Sequence, residues 1–77
     1  IRIGYSIAHS CVINLRITGV NGTTVKTLKS NDFQVEGTYN LSWDGTDSKG
    51  NSVSSGTYWV VLSCGSVVKT RKIELVR

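Results

Sequence analysis

The sequence predicts an all-β domain, built as a small antiparallel sandwich, and three observations point to it. Apolar and polar residues alternate along most of the chain, as they do in strands with one buried face. Two dipeptides typical of tight hairpins, Asn21-Gly22 and Gly65-Ser66, lie between such stretches. Strong helix formers are scarce, since Ala occurs once and Met is absent.

The first half of the chain is expected to form three strands. Residues 1–7 alternate and predict the first strand, and residues 11–18 predict a second, longer one. The first hairpin turn should return residues 23–28 antiparallel to the second strand. Residues 29–37 are mostly polar and are expected to form a loop that crosses between sheets, with Phe33 closing the end of the core.

The second half adds three more strands. Residues 39–43 predict a strand with a heavy aromatic inner face, and residues 57–64 predict the most apolar strand. Between them, residues 44–56 are rich in Gly, Asp, Asn and Ser, which favour turns. Six short strands with two tight hairpins are typical of an immunoglobulin-like sandwich.

The last strand is expected to span residues 67–76 and to contain an irregularity. Ile73 and Leu75 should face the core, but Val68 falls on the opposite parity. The sequence therefore predicts a β-bulge near Thr70.

The length of 77 residues leaves room for one domain, so residues 1–77 are expected to form a single immunoglobulin-like sandwich. The longest apolar run, residues 58–62, is far shorter than the roughly 18 to 20 residues of a membrane-spanning helix. No transmembrane segment is therefore expected. The absence of an initiator Met indicates a processed or excised piece of a longer protein.

The chain is moderately basic, with nine basic and five acidic residues and a net charge of +4. A nucleic-acid-binding protein combines a larger basic face with exposed aromatic residues or presents a recognition helix, and the sequence shows neither. No nucleic-acid partner is therefore expected. Four basic residues, Lys69, Arg71, Lys72 and Arg77, fall in the last nine positions and indicate a basic edge strand.

Candidates for catalysis are few. The one histidine, His9, lies in a polar break between strands, and only Cys11 is near it in sequence. A Ser or Cys nucleophile needs a base and usually a third group that orients the base. The five acidic residues form no recognisable acid pair. The sequence therefore predicts a protein that is not an enzyme and needs no cofactor.

Cys11 and Cys64 both fall on the inward parity of their strands, at ends that an antiparallel topology can bring together. A disulfide between them is one interpretation, and its long loop would constrain the unfolded chain by about 4 kcal/mol. Two separately buried thiols are the other. A zinc site is disfavoured, because one His and two Cys fall short of four ligands.

Residues 44–51 are rich in oxygen donors and superficially resemble a calcium loop. Calcium takes six to eight oxygens, however, and this segment offers two carboxylates, Asp44 and Asp47, with a Lys inside it. Asx turns explain the composition equally well. No metal is expected, and Asp44 and Asp47 are only weak candidates.

Three surface residues are further candidates. Asn21 and Asn40 each begin an Asn-X-Ser/Thr acceptor pattern for N-linked glycan, although turn chemistry and solvation also explain them. Trp59 falls on the outward parity of its strand and is a candidate for carbohydrate stacking or for a packing surface. Partial cover by Arg71 is the simpler account of Trp59.

Several segments resemble, in order, the C-terminal sorting domains of type IX secreted bacterial proteins. They are residues 1–7, 20–22, 37–47, 50–58 and 68–73, of which Trp43-Asp44-Gly45-Thr46-Asp47 and Ser55-Gly56-Thr57-Tyr58 are the most specific. The same pattern is similar to the Ig-like domain of flagellar hook-capping proteins. The Cys pair lies outside the family pattern, which indicates a specialised extracellular role.

The resemblance implies a non-catalytic module that directs secretion or attaches a protein to the bacterial cell surface. It also implies that the last strand, with Lys69, Arg71, Lys72 and Arg77, is the part that secretion or anchoring machinery recognises. Two other functions stay open. One is a structural subunit of an extracellular filament, self-associating into fibres, with Asn21 and Asn40 as candidate glycosylation sites. The other is an accessory carbohydrate-binding module.

Overall fold

The structure, a computed structural model that describes residues 1–76, consists of six antiparallel strands in two sheets. These are β1 (Arg2–Ile7), β2 (Cys11–Thr18), β3 (Thr24–Gln34), β4 (Gly37–Ser42), β5 (Gly56–Cys64) and β6 (Val67–Leu75). β1 pairs with β4, and the second sheet has the order β3-β2-β5-β6. The prediction of a small all-β, immunoglobulin-like sandwich is confirmed. Within residues 1–76 there is no helix with the length and hydropathy of a membrane span.

The core lies between the two sheets and consists of the alternating apolar side chains that define the strands. Because successive strand residues point to opposite faces, every second residue of β2 enters it. Its buried members are Ile3, Ile7, Ile13, Leu15, Ile17, Trp43, Val60, Leu62 and Leu75. Truncation of a fully buried Ile or Leu to Ala in such a core costs about 2 to 5 kcal/mol.

Trp43 is the largest fully buried side chain and lies directly after β4. Its ring meets the ring of Tyr58 edge to face, with centroids 5.2 Å apart. Its indole N–H donates to the backbone carbonyl of Thr46 at 2.9 Å, so burial leaves no unpaired donor. The Tyr58 hydroxyl in turn donates to the Ser54 carbonyl at 2.7 Å, which anchors the start of β5.

β3 is longer than the sequence predicts, because the expected loop at residues 29–37 continues the strand as far as Gln34. Leu15 pairs with Lys29 and Ile13 with Asp32, so β3 carries an extra residue in a bulge. Within it, Asn31 has a positive φ of 50°, and its N–H donates to Asn14 Oδ1 at 2.9 Å. Residues 29–34 form a strand although they are mostly polar, because hydrogen bonds to β2 satisfy their backbone groups.

Phe33 does not close the core, and that prediction is wrong. Its register partner is Val12, whose side chain points outward from the sheet, so Phe33 lies on the same outer face. It is 63% exposed. The extra residue in the bulge of β3 sets the side on which Phe33 lies.

β6 contains no bulge near Thr70, so that prediction is also wrong. The register with β5 runs without a shift from Cys64 opposite Val67 to Gly56 opposite Leu75. Val68 therefore points to the outer face of the sheet, where it is 60% exposed. The physical reason lies in the hairpin turn, where Gly65 has φ 62° and joins β5 to β6 with no slip.

Candidate functional site

The candidate site is a groove between β1 and β6, each of which is an edge strand of its sheet; we call it the edge groove. A four-stranded sheet is wider than a two-stranded one, so part of the inward side of β6 stays uncovered. The groove holds a cavity of about 470 Å³, lined by residues that include Gly4, Ser6, Val60, Leu62, Lys69 and Arg71. A second cavity of about 210 Å³ lies beside it and reaches His9, Cys64 and Val67.

Arg71 joins the two walls of the edge groove. It lies opposite Val60 in the sheet, which puts its side chain on the inward side of β6. There its Nη2 donates to the backbone carbonyl of Gly4 at 2.6 Å. A cation therefore occupies a position that would carry an apolar side chain if the opposite sheet extended over β6.

Lys69 lies on the same side of β6, two residues before Arg71, and lines both cavities. Its ammonium group makes no ion pair or hydrogen bond within residues 1–76. No Asp or Glu lines either cavity. The positive charge of the edge groove is therefore not neutralised by the lining residues.

The structure separates the basic residues that the sequence grouped on the last strand. Lys69 and Arg71 border the edge groove, whereas Lys72 points to the outer face, opposite Trp59 in the register. All three side chains are exposed. Arg77 lies outside the described residues, and the role of this strand in recognition stays a prediction.

Sequence reasoning did not find the edge groove, although a signal for it was present. Residues 67, 69, 71, 73 and 75 alternate without interruption, so Lys69 and Arg71 share the inward parity of Ile73. Two inward cations on one strand indicate a face that the opposite sheet does not cover. The predicted bulge at Thr70 removed this signal, because it gives Lys69 the opposite parity from Arg71 and Ile73.

Cys11 and Cys64 form a disulfide, with Cα atoms 5.6 Å apart. It links the start of β2 to the end of β5, which are neighbours in the four-stranded sheet. The bridge spans 53 positions of sequence, and closing a loop of this size stabilises a protein by about 4 kcal/mol in the chain-entropy model. Cys11 is therefore not available as a thiolate nucleophile beside the exposed His9.

The carboxylates of residues 44–51 bond to the backbone of their own loop. Asp44 Oδ1 accepts from the Thr46 N–H at 3.1 Å and from its hydroxyl at 2.6 Å. Asp47 Oδ1 accepts from the N–H groups of Lys49 and Asn51 at 2.9 and 3.0 Å. These are the Asx-type contacts of tight turns. Among residues 1–76, no group of three His, Cys, Asp or Glu side chains is placed to hold a metal ion.

The loop is also tied to β3. Lys26 Nζ donates to Thr46 Oγ1 at 3.0 Å and lies 3.8 Å from Asp44 Oδ1. The hydrogen bond from the Thr46 side chain holds the pKa of Asp44 below its usual range; desolvation opposes this shift, and the Thr46 backbone N–H and the charge of Lys26 add to it. The Trp-Asp-Gly-Thr-Asp motif thus connects Trp43 to the four-stranded sheet.

Trp59 lies on the outer face of the four-stranded sheet and is half-buried. Its register partners are Thr18 and Lys72. Arg71 points to the opposite face, so the prediction that Arg71 covers Trp59 is wrong. A role of Trp59 in carbohydrate stacking or packing stays a prediction.

The two glycan acceptor candidates are both exposed. Asn21 lies in the first hairpin turn, where its Oδ1 accepts from the Thr23 N–H at 3.1 Å. Asn40 lies on β4 opposite Gly4. Turn bonding accounts for Asn21 without modification, and glycosylation at either position stays a prediction.

Comparison with known protein families shows that residues 5–67 match the family described as the FlgD Ig-like domain. No curated protein matches the chain, and no solved structure matches it. The matched residues begin in β1 and end at the first residue of β6, so they include residues of both sheets. The predicted resemblance to the Ig-like domain of flagellar hook-capping proteins is confirmed by this match. The chain belongs to the FlgD Ig-like domain family.

Proposed function

We propose that the chain is a non-catalytic C-terminal module of an exported bacterial protein, which directs secretion through a type IX pathway or attaches the protein to the cell surface. Secretion or anchoring machinery recognises its last strand. The observation that carries this proposal is the position of β6, an edge strand that pairs only with β5 and carries the exposed cations Lys69, Arg71 and Lys72. An open edge strand is accessible to another protein chain.

Two further features support an extracellular, non-catalytic role. The Cys11–Cys64 disulfide favours an oxidising compartment outside the cytoplasm, where such bonds persist. The family contributes structural modules rather than enzymes, and here the one His and the two Cys form no nucleophile and base pair. Binding rather than chemistry is the function that this arrangement supports.

A reporter fusion tests the proposed function. The chain is fused behind a fluorescent protein in a type IX secreting host, and the reporter is measured in medium, cell surface and periplasm. The intact fusion is expected outside the cell, whereas Lys69→Glu/Arg71→Glu is expected to retain it in the periplasm. Arg16→Glu/Lys49→Glu makes the same change of charge at exposed residues away from β6 and is expected to leave export intact. An intact fusion that stays in the periplasm contradicts the proposal.

A structural subunit of an extracellular filament is the second candidate. It is favoured by the exposed apolar side chains Val12 and Phe33, which pair on the outer face, and by Val68 on the edge strand β6. Exposed apolar surface beside open edges favours subunit packing. Light scattering of the purified chain separates the two candidates, because a transient signal is expected to be monomeric and a filament subunit to polymerise.

A further inference from the structure

β1 presents a row of backbone hydrogen-bonding groups to the edge groove, of which the Gly4 carbonyl is bonded to Arg71. Ile1 and Trp43 exchange backbone hydrogen bonds of 3.0 and 2.8 Å at the start of the β1–β4 pair. Because bonded and non-bonded pairs alternate in an antiparallel ladder, the backbone groups of Gly4 and Ser6 point away from β4. The Gly4 carbonyl, which accepts from Arg71, follows this direction. A further strand can therefore pair with β1 when its own N–H replaces the Arg71 guanidinium at the Gly4 carbonyl.

The edge groove has two chemically different halves. Lys69 and Arg71 border the larger cavity of about 470 Å³. The smaller cavity of about 210 Å³ extends the groove along Leu62, Cys64 and Val67 and is mainly apolar. Lys69 lines both cavities, so they form one path beside β1. An occupant meets cations at one end and apolar surface at the other.

We propose that the edge groove binds an extended segment of a partner protein, which pairs with β1 and directs acidic side chains at Lys69 and Arg71. Strand side chains alternate, so the segment points every second residue into the groove. Two such residues are acidic and face the cations, and the third is apolar and contacts Leu62 and Val67. Addition of a strand at an open edge combines main-chain bonding with side-chain specificity in this way.

Charge complementarity selects an acidic partner over a second copy of the chain. The lining of both cavities includes cations and no Asp or Glu. The chain carries a net charge of +4, and its own edge strand β6 carries Lys69, Arg71 and Lys72. A second copy that inserted this strand would place like charges together, which is unfavourable.

The inference rests on the proposed function and deepens it, since Lys69 and Arg71 belong to both. The test therefore uses purified protein and no secretion host. If the intact chain is exported but does not bind the acidic peptide, the inference alone is overturned. If the intact chain binds the acidic peptide but is not exported, the proposed function alone is overturned.

The experiment is a titration of the nitrogen-15-labelled chain with a heptapeptide in which Thr alternates with Glu, Glu and Val, followed by NMR. The peptide and the peptide of reversed sequence are both used, because an added strand can pair with β1 in parallel or antiparallel orientation. Chemical-shift changes are expected at Gly4, Ser6, Leu62 and Lys69. Replacing both Glu by Gln in the peptide is expected to weaken binding about tenfold, and added salt is expected to weaken binding of the acidic peptide.

Variants of the chain complete the test. Lys69→Gln/Arg71→Gln is expected to weaken binding of the acidic peptide about tenfold as well. Lys72→Gln removes a charge from the same strand on its outer face and is expected to leave binding unchanged. Spectra of each variant report whether it is folded. Equal binding of the Gln peptide, shifts confined to another face, or a dimer of the free chain that fills the groove would each overturn the proposal.

Discussion

At the scale of single residues, Thr46 holds the turn system to the core. Its carbonyl accepts from the Trp43 indole, and its hydroxyl lies between Asp44 Oδ1 and Lys26 Nζ, at 2.6 and 3.0 Å. One residue therefore links a buried ring through its backbone carbonyl, and a loop carboxylate and β3 through its hydroxyl. The motif that carries the family resemblance is explained by this structural function.

Thr46→Val keeps the shape of the side chain and removes its hydroxyl, so it tests this link. The variant is expected to lose about 1 to 2 kcal/mol of unfolding free energy, because two hydrogen bonds are lost and their partners stay half-exposed. Thr27→Val, at an exposed position of β3, is the control and is expected to change stability by about 0.5 kcal/mol or less. Urea denaturation measures both, and equal values would contradict the role of Thr46.

Asp44 makes the stability of the loop depend on pH. The folded protein holds its pKa below the ordinary value of 3.8, so its stabilising effect is present above that pH and is lost as pH falls through the lower, folded value. Asp44→Asn removes this titration. Melting temperatures between about pH 5 and pH 2 are expected to fall less steeply for the variant than for the parent chain. Identical slopes would contradict this assignment.

At the scale of elements, the sequence predicts strands well where one face is buried and poorly at edges. β1 and β2 follow alternation of apolar and polar residues, and β5 follows an apolar run, because the inward faces of these strands contact the core. β3 beyond Leu28 and the register of β6 depend on pairing with a neighbour, which a local pattern does not contain. The edge groove results from the unequal widths of the two sheets. A local sequence pattern does not contain this information and therefore does not predict the groove.

The register of β6 is tested by two truncations on the same strand. Val68→Ala is expected to cost about 0.5 kcal/mol or less, since the side chain is exposed on the outer face. Leu75→Ala is expected to cost about 2 to 5 kcal/mol, since it empties a core position. Chemical denaturation measures both. A large loss for Val68→Ala would indicate a bulge that turns this residue inward.

At the scale of the whole molecule, a chain of 77 residues has a small core, and its disulfide contributes much of the stability. Intact mass without reductant is expected to show the loss of two hydrogens. Because the bridge is worth about 4 kcal/mol, reduction is expected to lower the melting temperature by roughly 15 °C or more. Cys11→Ala/Cys64→Ala is the control and should not respond to reductant. Two free thiols in the native chain would contradict the assignment.

The central claim is that sheets of unequal width leave β1 open as a docking edge. Amide hydrogen exchange by NMR tests it most directly, because neighbouring residues of one strand differ in their partners. Ile3 and Tyr5 amides, bonded to β4, are expected to exchange slowly, and those of Gly4 and Ser6 quickly. The acidic heptapeptide is expected to slow exchange at Gly4 and Ser6. Protection of these two amides in the free protein would contradict the claim.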